Sequence, residues 1–230
     1  MIMTRYAIPD MHGGAVTFKA LLDKINLRHE DRLYLLGDYV DRGSDSKGVL
    51  DIILELMAGG YDVRPVRGNH DDMFLKAVKG GDSRETLDYL ECWGLHTLAS
   101  FDEMFVRDVP EVYRSLLESM PLIRVEDDYV FVHAGLDMSK ADPVSQSSDQ
   151  VMLWIENTRV NAGKLGGRSL VVGHRIHSLD DIRTSLGTKY IHLDNGAFSN
   201  LLPEYGNLVA LNLDTKELIL QPWLDGDSEE

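Results

Sequence analysis

The sequence predicts an α/β fold with a strand-rich second half, in which two sheets face each other and helices cover the outer faces. Two observations predict it. Over residues 5–66 short apolar runs alternate with windows of helical periodicity, the pattern of a partly parallel sheet. After Pro121 six further short apolar runs follow, with little helical pattern between them.

The elements follow in order. Arg5–Pro9 reads as the first strand, and Val16–Ile25 as an amphipathic helix, because Phe18, Leu21, Leu22 and Ile25 recur at helical spacing. Leu33–Leu36 is the second strand, and Val49–Met57 a helix that Gly59-Gly60 closes. Val63–Val66 is the third; Pro65 cannot donate to a ladder, which makes this strand an edge or an irregular one. From about Asp72 to Met120 the pattern is helical. There DSRETLDYL resembles an N-capped start, and PEVYRSLLESM places Pro110 in a first helical turn. The runs LIRV, DYVFVHAG, RSLVVGH, KYIHLD, LVALNL and ELILQ supply the later strands. Polar Asp142–Gln150 reads as a surface loop, and a helix is expected over about Gln150–Val160. With no internal repeat and no separating linker, residues 1–230 read as one domain, with an acidic tail at about 225–230 expected to be solvated and frayed.

Composition narrows the function. The chain has 230 residues, 43% hydrophobic and 27% charged, enough for a sizeable core and unlike a disordered chain. A net charge of −15 argues against broad nucleic-acid or anionic-membrane binding. The single cysteine, Cys92, cannot form an internal disulfide and is expected to be a half-buried structural thiol, which suits a reducing compartment. The amino terminus has no long apolar segment and no 18-residue apolar run occurs, so the cytoplasm is the expected location.

Five strand ends carry polar residues that an ordinary core would not place there. They are Asp10-Met11-His12-Gly13, Gly37-Asp38 with Asp41-Arg42-Gly43, Gly68-Asn69-His70-Asp71, His133-Ala134-Gly135 and Gly173-His174. Each alone has a bland reading: Asp10 as a helix cap, Gly68-Asn69 as a turn, a lone histidine as a satisfied strand-end residue. Together they deliver Asp, Asn and His to one rim, where open α/β sheets grip ligands. Oxygen and nitrogen donors without thiolate suit Mn, Fe or Zn. Two Asp, one Asn and three His exceed what one ion needs and fit a pair about 3.5–4 Å apart.

These motifs resemble the metallophosphoesterase superfamily, and more narrowly its phosphoprotein phosphatase branch with its small bacterial and phage members. The resemblance extends from about Arg5 to Leu213 and includes LDNGAFSNLLPEYGNLVALNL. It implies the calcineurin-like fold, two facing mixed sheets flanked by helices with a helical insert around 72–120. It also implies two divalent ions, Mn²⁺ above Fe or Zn. Asp10 and His12 would hold the first, Asp38 would bridge both, and Asn69, His133 and His174 would complete the second. A metal-bridging hydroxide would attack phosphorus in line. His70 would be the general acid, its tautomer fixed and its pKa raised by Asp41, and Arg42 would bind phosphoryl oxygens.

Departures from the family pattern are few. Pro9 stands where Gly is usual, and Arg175-Ile176-His177 follows Gly173-His174 where relatives often have Thr-Pro. A surface role is expected for Arg175 and His177, with contact to the substrate by either one as the alternative. Arg159 is the expected second phosphate-binding arginine, ahead of Arg168, and His192 is expected to be an ordinary strand residue. Symmetrical dinucleoside-tetraphosphate hydrolases share most motifs but generally have Ala where Asp41 stands. Asp41 therefore points to phosphomonoester hydrolysis, first of all serine/threonine and possibly dual-specificity protein dephosphorylation, on a phosphorylated protein or small phosphoester. The alternative is a dinucleoside-tetraphosphate or nucleotide phosphohydrolase, with the insert as the specificity wall. A retired, merely metal-binding module would have lost ligands or acid, and none is missing.

Overall fold

The structure, a computed structural model, describes residues 3–81, 83–199 and 204–226. Its first half runs β1 (Arg5–Ile8), α1 (Ala15–Ile25), β2 (Arg32–Leu35), α2 (Ser46–Ala58) and β3 (Asp62–Pro65). The helical insert follows as α3 (Asn69–Gly80), α4 (Arg84–Tyr89), a π turn at Leu90–Gly94, α5 (Leu95–Ser100) and α6 (Glu111–Ser119). The second half holds β4 (Ile123–Val125), β5 (Tyr129–Val132), α7 (Pro143–Gln146), α8 (Asp149–Trp154), β6 (Ser169–Val172), α9 (Leu179–Ser185), β7 (Tyr190–His192), β8 (Asn207–Asn212) and β9 (Leu218–Pro222).

Two mixed sheets result, ordered β3-β2-β1-β8-β9 and β4-β5-β6-β7. The parallel strands β1, β2 and β3 sit beside one another, and β8 closes on β1 antiparallel. Pro65 ends the edge strand β3, where its missing N–H is harmless.

Period-two alternation explains the layers. In β2, Tyr34 points between the sheets with Ala7, Phe131, Val171, Ile191 and Leu211, while Leu33 and Leu35 face the outer helices with Phe18, Leu21 and Ile53. Tyr34 stacks on Phe131 across the interface at 4.0 Å. On the far face of the second sheet Val130, Val132, Leu170 and Val172 pack against Met152 and Leu165.

The helix ends are mostly capped locally: Asp45 accepts from Gly48 N–H, Ser83 from Thr86 N–H and Ser178 from Asp181 N–H. Gly14, not Asp10, occupies the N-cap position of α1. The first N–H groups of α1 are satisfied from far away, by Asp225, which accepts from Val16 and Thr17 N–H at 2.8 Å. The expected frayed tail is thus tied down at its start; residues 227–230 of it, and residues 200–203 of the closing motif, lie outside the described residues.

Three local expectations are corrected. The helix expected over 150–160 ends at Trp154, because Asn157 turns in to bond both the N–H and the C=O of Leu136 and pins the following chain. Pro110 is the N-cap of α6, one residue before its first turn. Cys92 is exposed, because the π turn points Gly94 inward against Tyr89 and leaves the thiol outside.

Candidate active site

The carboxyl ends of β1, β2, β3, β5 and β6 converge on one cleft of about 350 Å³. Its floor and walls include His12, Asp38, Arg42, Asn69, His70, His174 and Asp194, with Met73, Trp93, Trp154, Ile176 and Phe198 around the mouth. The turns that build it are strained. Among the eight described non-glycine residues with positive φ, five are His12, Asp38, Asp41, Arg42 and His174, which places the strain at the cleft. Gly37, at φ +100°, admits the β2 turn beside the β3 turn: a Cβ there would come 2.5 Å from Gly68 N.

Asp71 locks these turns together. Its buried carboxylate accepts from the N–H of Asp38 (2.9 Å), Tyr39 (2.9 Å) and Gly68 (2.8 Å). Burial, with Asp38 nearby, pushes Asp71 up to about 7. The β1 turn is fastened in turn when Met11 and His12 N–H both donate to the Asp38 carbonyl.

Donor atoms of His12, Asp38 and His70, and of Asp38, His133 and His174, each lie within 4.8 Å of one another, with Asp38 common to both groups. His12 directs Nδ1 to the Val40 carbonyl (3.1 Å) and His133 directs Nδ1 to the Leu36 carbonyl (2.8 Å). Each therefore keeps an Nε2 lone pair facing the cleft, 3.6 Å and 3.4 Å from Asp38 Oδ2. Burial holds both imidazoles neutral, and burial beside His133 pushes His174 down to about 4. Asn69 Oδ1 stands 2.7 Å from His133 Nε2 and 3.1 Å from His174 Nδ1.

His133 Nε2, Asn69 Oδ1 and Asp38 Oδ2 are thus acceptors crowded together, an arrangement that a bound cation makes favourable. The carboxylates give the same answer. Burial, with Asp194 and Asp38 close by, drives Asp10 far above the usual range, and burial beside Asp38 lifts Asp194 to about 6. The residues present fit divalent metal.

Asp10 belongs to neither donor group; both of its oxygens accept from His174 N–H at 3.0 Å. His70 Nδ1–H donates to Asp41 at 2.8 Å. Burial would lower the His70 pKa, but Asp38 and the bond to Asp41 outweigh it and raise it. Asp41 also accepts from Tyr89 OH (2.7 Å) and Thr97 OH (2.6 Å). The Arg42 guanidinium lies between the rings of Trp93 (4.6 Å) and Phe198 (4.5 Å).

Arg159 is not brought to the cleft. The extended chain after α8 carries it to a different cavity, and Arg175 lines the cleft instead, paired with Glu156 at 3.2 Å. Arg168 is spent on the carbonyls of Glu126 and Leu165, and His177 and His192 lie with Arg159. Asp71, the last residue of the Gly68-Asn69-His70-Asp71 strand end, and Asp194, in the polar Leu193-Asp194-Asn195-Gly196 strand end, take roles that the sequence does not assign to them.

The calcineurin-like phosphoesterase family matches residues 3–211. A symmetrical bis(5'-nucleosyl)-tetraphosphatase of Pectobacterium carotovorum is 36% identical over 148 residues, which cover 63% of this chain and 47% of that protein. The chain thus spans about half the length of the curated relatives it matches. A crystal structure presented as a candidate diadenosine tetraphosphatase superposes with TM-score 0.69 at 21% identity, covering 97% of this chain and 95% of that one. A serine/threonine phosphatase from Saccharomyces cerevisiae superposes at 0.62 with 15% identity, covering 99% and 81%, a likeness of fold alone.

These findings correct the expected protein-phosphatase activity and phosphoprotein substrate, since curated relatives at 36–38% identity are named for dinucleoside tetraphosphates. The physical reason is that Asp41 is a poor substrate discriminator. It is bonded to Tyr89, Thr97 and His70 inside the protein, so its presence does not by itself select a substrate.

Proposed function

The chain belongs to the calcineurin-like phosphoesterase family, and on that premise we propose that it hydrolyses dinucleoside polyphosphates, dinucleoside tetraphosphate above all, between its phosphates. The observation that carries this reading is the name shared by relatives at 36–38% identity over 135–148 residues of this chain. The cleft supports it. Indoles exposed by 37% (Trp93) and 47% (Trp154) stand beside His70 and His174, offering stacking surfaces for bases along an extended polyphosphate. No helix among the described residues is long and apolar enough to cross a membrane, and a cytoplasmic setting is part of the proposal.

His12, Asp38, Asn69, His133 and His174 would hold the divalent ions, and Asp10, whose buried carboxyl accepts from His174 N–H, is the further proposed ligand. Mn²⁺ is the proposed metal, and Fe or Zn suits the same nitrogen and oxygen donors. Bound there, such ions supply Lewis acidity toward phosphoryl oxygens and acidify water. Arg42, pre-oriented between two rings, presents its planar fork to non-bridging oxygens of the phosphate under attack. Arg175 stands where a neighbouring phosphate passes. His70, steered by Asp41, delivers a proton from Nε2 to the departing oxygen.

The test is a substrate panel on chelated protein resupplied with Mn²⁺. Diadenosine tetraphosphate should disappear with ADP as product and outpace phosphoserine and phosphotyrosine peptides. Faster turnover of either peptide would refute the reading.

A further inference from the structure

Beside the catalytic cleft lies a second cavity of about 670 Å³, whose lining includes Arg159, His177, Asp181, Lys189, Tyr190 and His192. The two cavities share their walls. Segment 154–160 gives Trp154 to the cleft and Arg159 to the groove, and segment 175–177 gives Arg175 to the cleft and His177 to the groove. His192 in the groove and Asp194 in the cleft are two residues apart, on the order of 7 Å along extended chain. His177 N–H donates to the Asp194 carbonyl at 2.8 Å and fastens the two walls together.

The groove has an aromatic floor and a basic rim. His177 stacks on His192 with centroids 3.7 Å apart, and Tyr190 meets His192 edge-on at 5.6 Å. Burial lowers His177 and, with His177 nearby, pushes His192 down to about 4, so this floor is an uncharged π surface at neutral pH. Arg159 and Lys189 are exposed at the rim; Lys189 Nζ donates to the Gly167 carbonyl at 2.7 Å, and no ion pair to Arg159 occurs among the described residues. The one carboxylate of the lining, Asp181, already accepts from the Ser178 hydroxyl.

We propose that this groove is the second nucleoside-phosphate subsite. One half of the dinucleoside polyphosphate lies in the catalytic cleft. The chain of phosphates crosses beneath Trp154 and Arg175, the distal phosphate meets Arg159 and Lys189, and the distal base stacks on the histidine and tyrosine floor. The inference rests on the proposed function and assigns that substrate's far half to residues outside the catalytic centre. The required chemistry is modest: two cations for phosphate oxygens and a flat π surface for a base.

The test is the double variant Arg159→Ser/Lys189→Ser, two exposed positions, assayed with Mn²⁺ on diadenosine tetraphosphate and on bis(p-nitrophenyl) phosphate, which is too short to reach the groove. The expected result is a KM for the long substrate raised roughly tenfold, the loss of one or two charge-assisted contacts, with kcat and the short substrate unaffected. An unchanged KM for the long substrate, or an equal rise for both, overturns the proposal. ADP titration of the metal-free protein gives a reading independent of catalysis. Affinity should fall at least fivefold in the variant, and equal affinity in parent and variant refutes the subsite. A parent enzyme that leaves diadenosine tetraphosphate intact would sink the proposed function instead, while the ADP titration still decides the groove.

Discussion

Replacing His70 with Asn should cost catalysis in proportion to how badly the leaving group needs a proton. In the structure the imidazole is buried, donates to Asp41 at 2.8 Å and touches Trp93 edge-on at 5.3 Å, so its orientation is fixed. A nucleoside diphosphate leaves as a phosphate group whose second pKa is about 6, so at neutral pH it departs with little help and the variant should lose about tenfold or less. A phenol leaves as an anion whose conjugate acid has a pKa of about 10, as in tyrosine, and there the loss should reach roughly 10²–10⁴-fold. The assay is kcat/KM for parent and H70N across aryl esters of ADP, from nitrophenyl to phenyl, alongside diadenosine tetraphosphate. Metal content is measured in parallel. The two lines should converge at good leaving groups and diverge at poor ones. Parallel lines, or a variant that keeps full rate on the phenyl ester, would refute the assignment of His70 as proton donor.

Asp41→Asn should follow H70N without adding to it. The amide oxygen must serve Tyr89 and Thr97, which turns its NH₂ toward His70 Nδ1, so a D41N/H70N double variant should match H70N on the phenyl ester within about twofold. Asp38→Asn should weaken metal affinity by more than roughly 100-fold, since it removes the carboxylate common to both donor groups; elemental analysis after dialysis reads this, and full retention argues against a shared ligand. Trp93→Ala should raise KM about 3- to 30-fold by freeing one face of Arg42, as steady-state kinetics would show. Asp31→Asn tests stability against pH. Burial alone would raise the Asp31 pKa, but hydrogen bonds from Arg28 and from Thr4 N–H outweigh it and lower it. Its stabilisation is therefore present above the unfolded pKa of about 3.9 and lost as pH falls through the lower folded value, so the variant should be weaker by ~1–3 kcal/mol in urea at pH 7, with the difference shrinking as pH falls below about 3.9.

The strand framework was legible because β1, β2, β5 and β6 are short, mainly apolar runs cut off by polar residues just after their carboxyl ends, and metal-site motifs sit at those cuts. What was not legible depends on contacts between distant segments. Nothing near Trp154 announces that Asn157 will bond Leu136 and end the helix, and that contact sends Arg159 to the neighbouring groove. Asp225 as the cap of α1 joins residues 208 positions apart, and its acidic surroundings look like a solvated tail. Asp71 and Asp194 lie inside or next to recognisable motifs, yet their partners are backbone N–H groups, which carry no sequence signal. Substrate choice was misread for a related reason. Asp41 serves an internal network of hydroxyls as well as His70, so its presence reports on packing as much as on chemistry.

The central claim is that side chains from separate strand ends form a cradle for a pair of cations with Asp38 between them. Crystals grown with Mn²⁺ and measured at the manganese absorption edge test it most directly. Two anomalous peaks about 3.5–4 Å apart, one on each side of the Asp38 carboxylate, are the expected result. A single peak, or peaks remote from His12, His133 and His174, would contradict it.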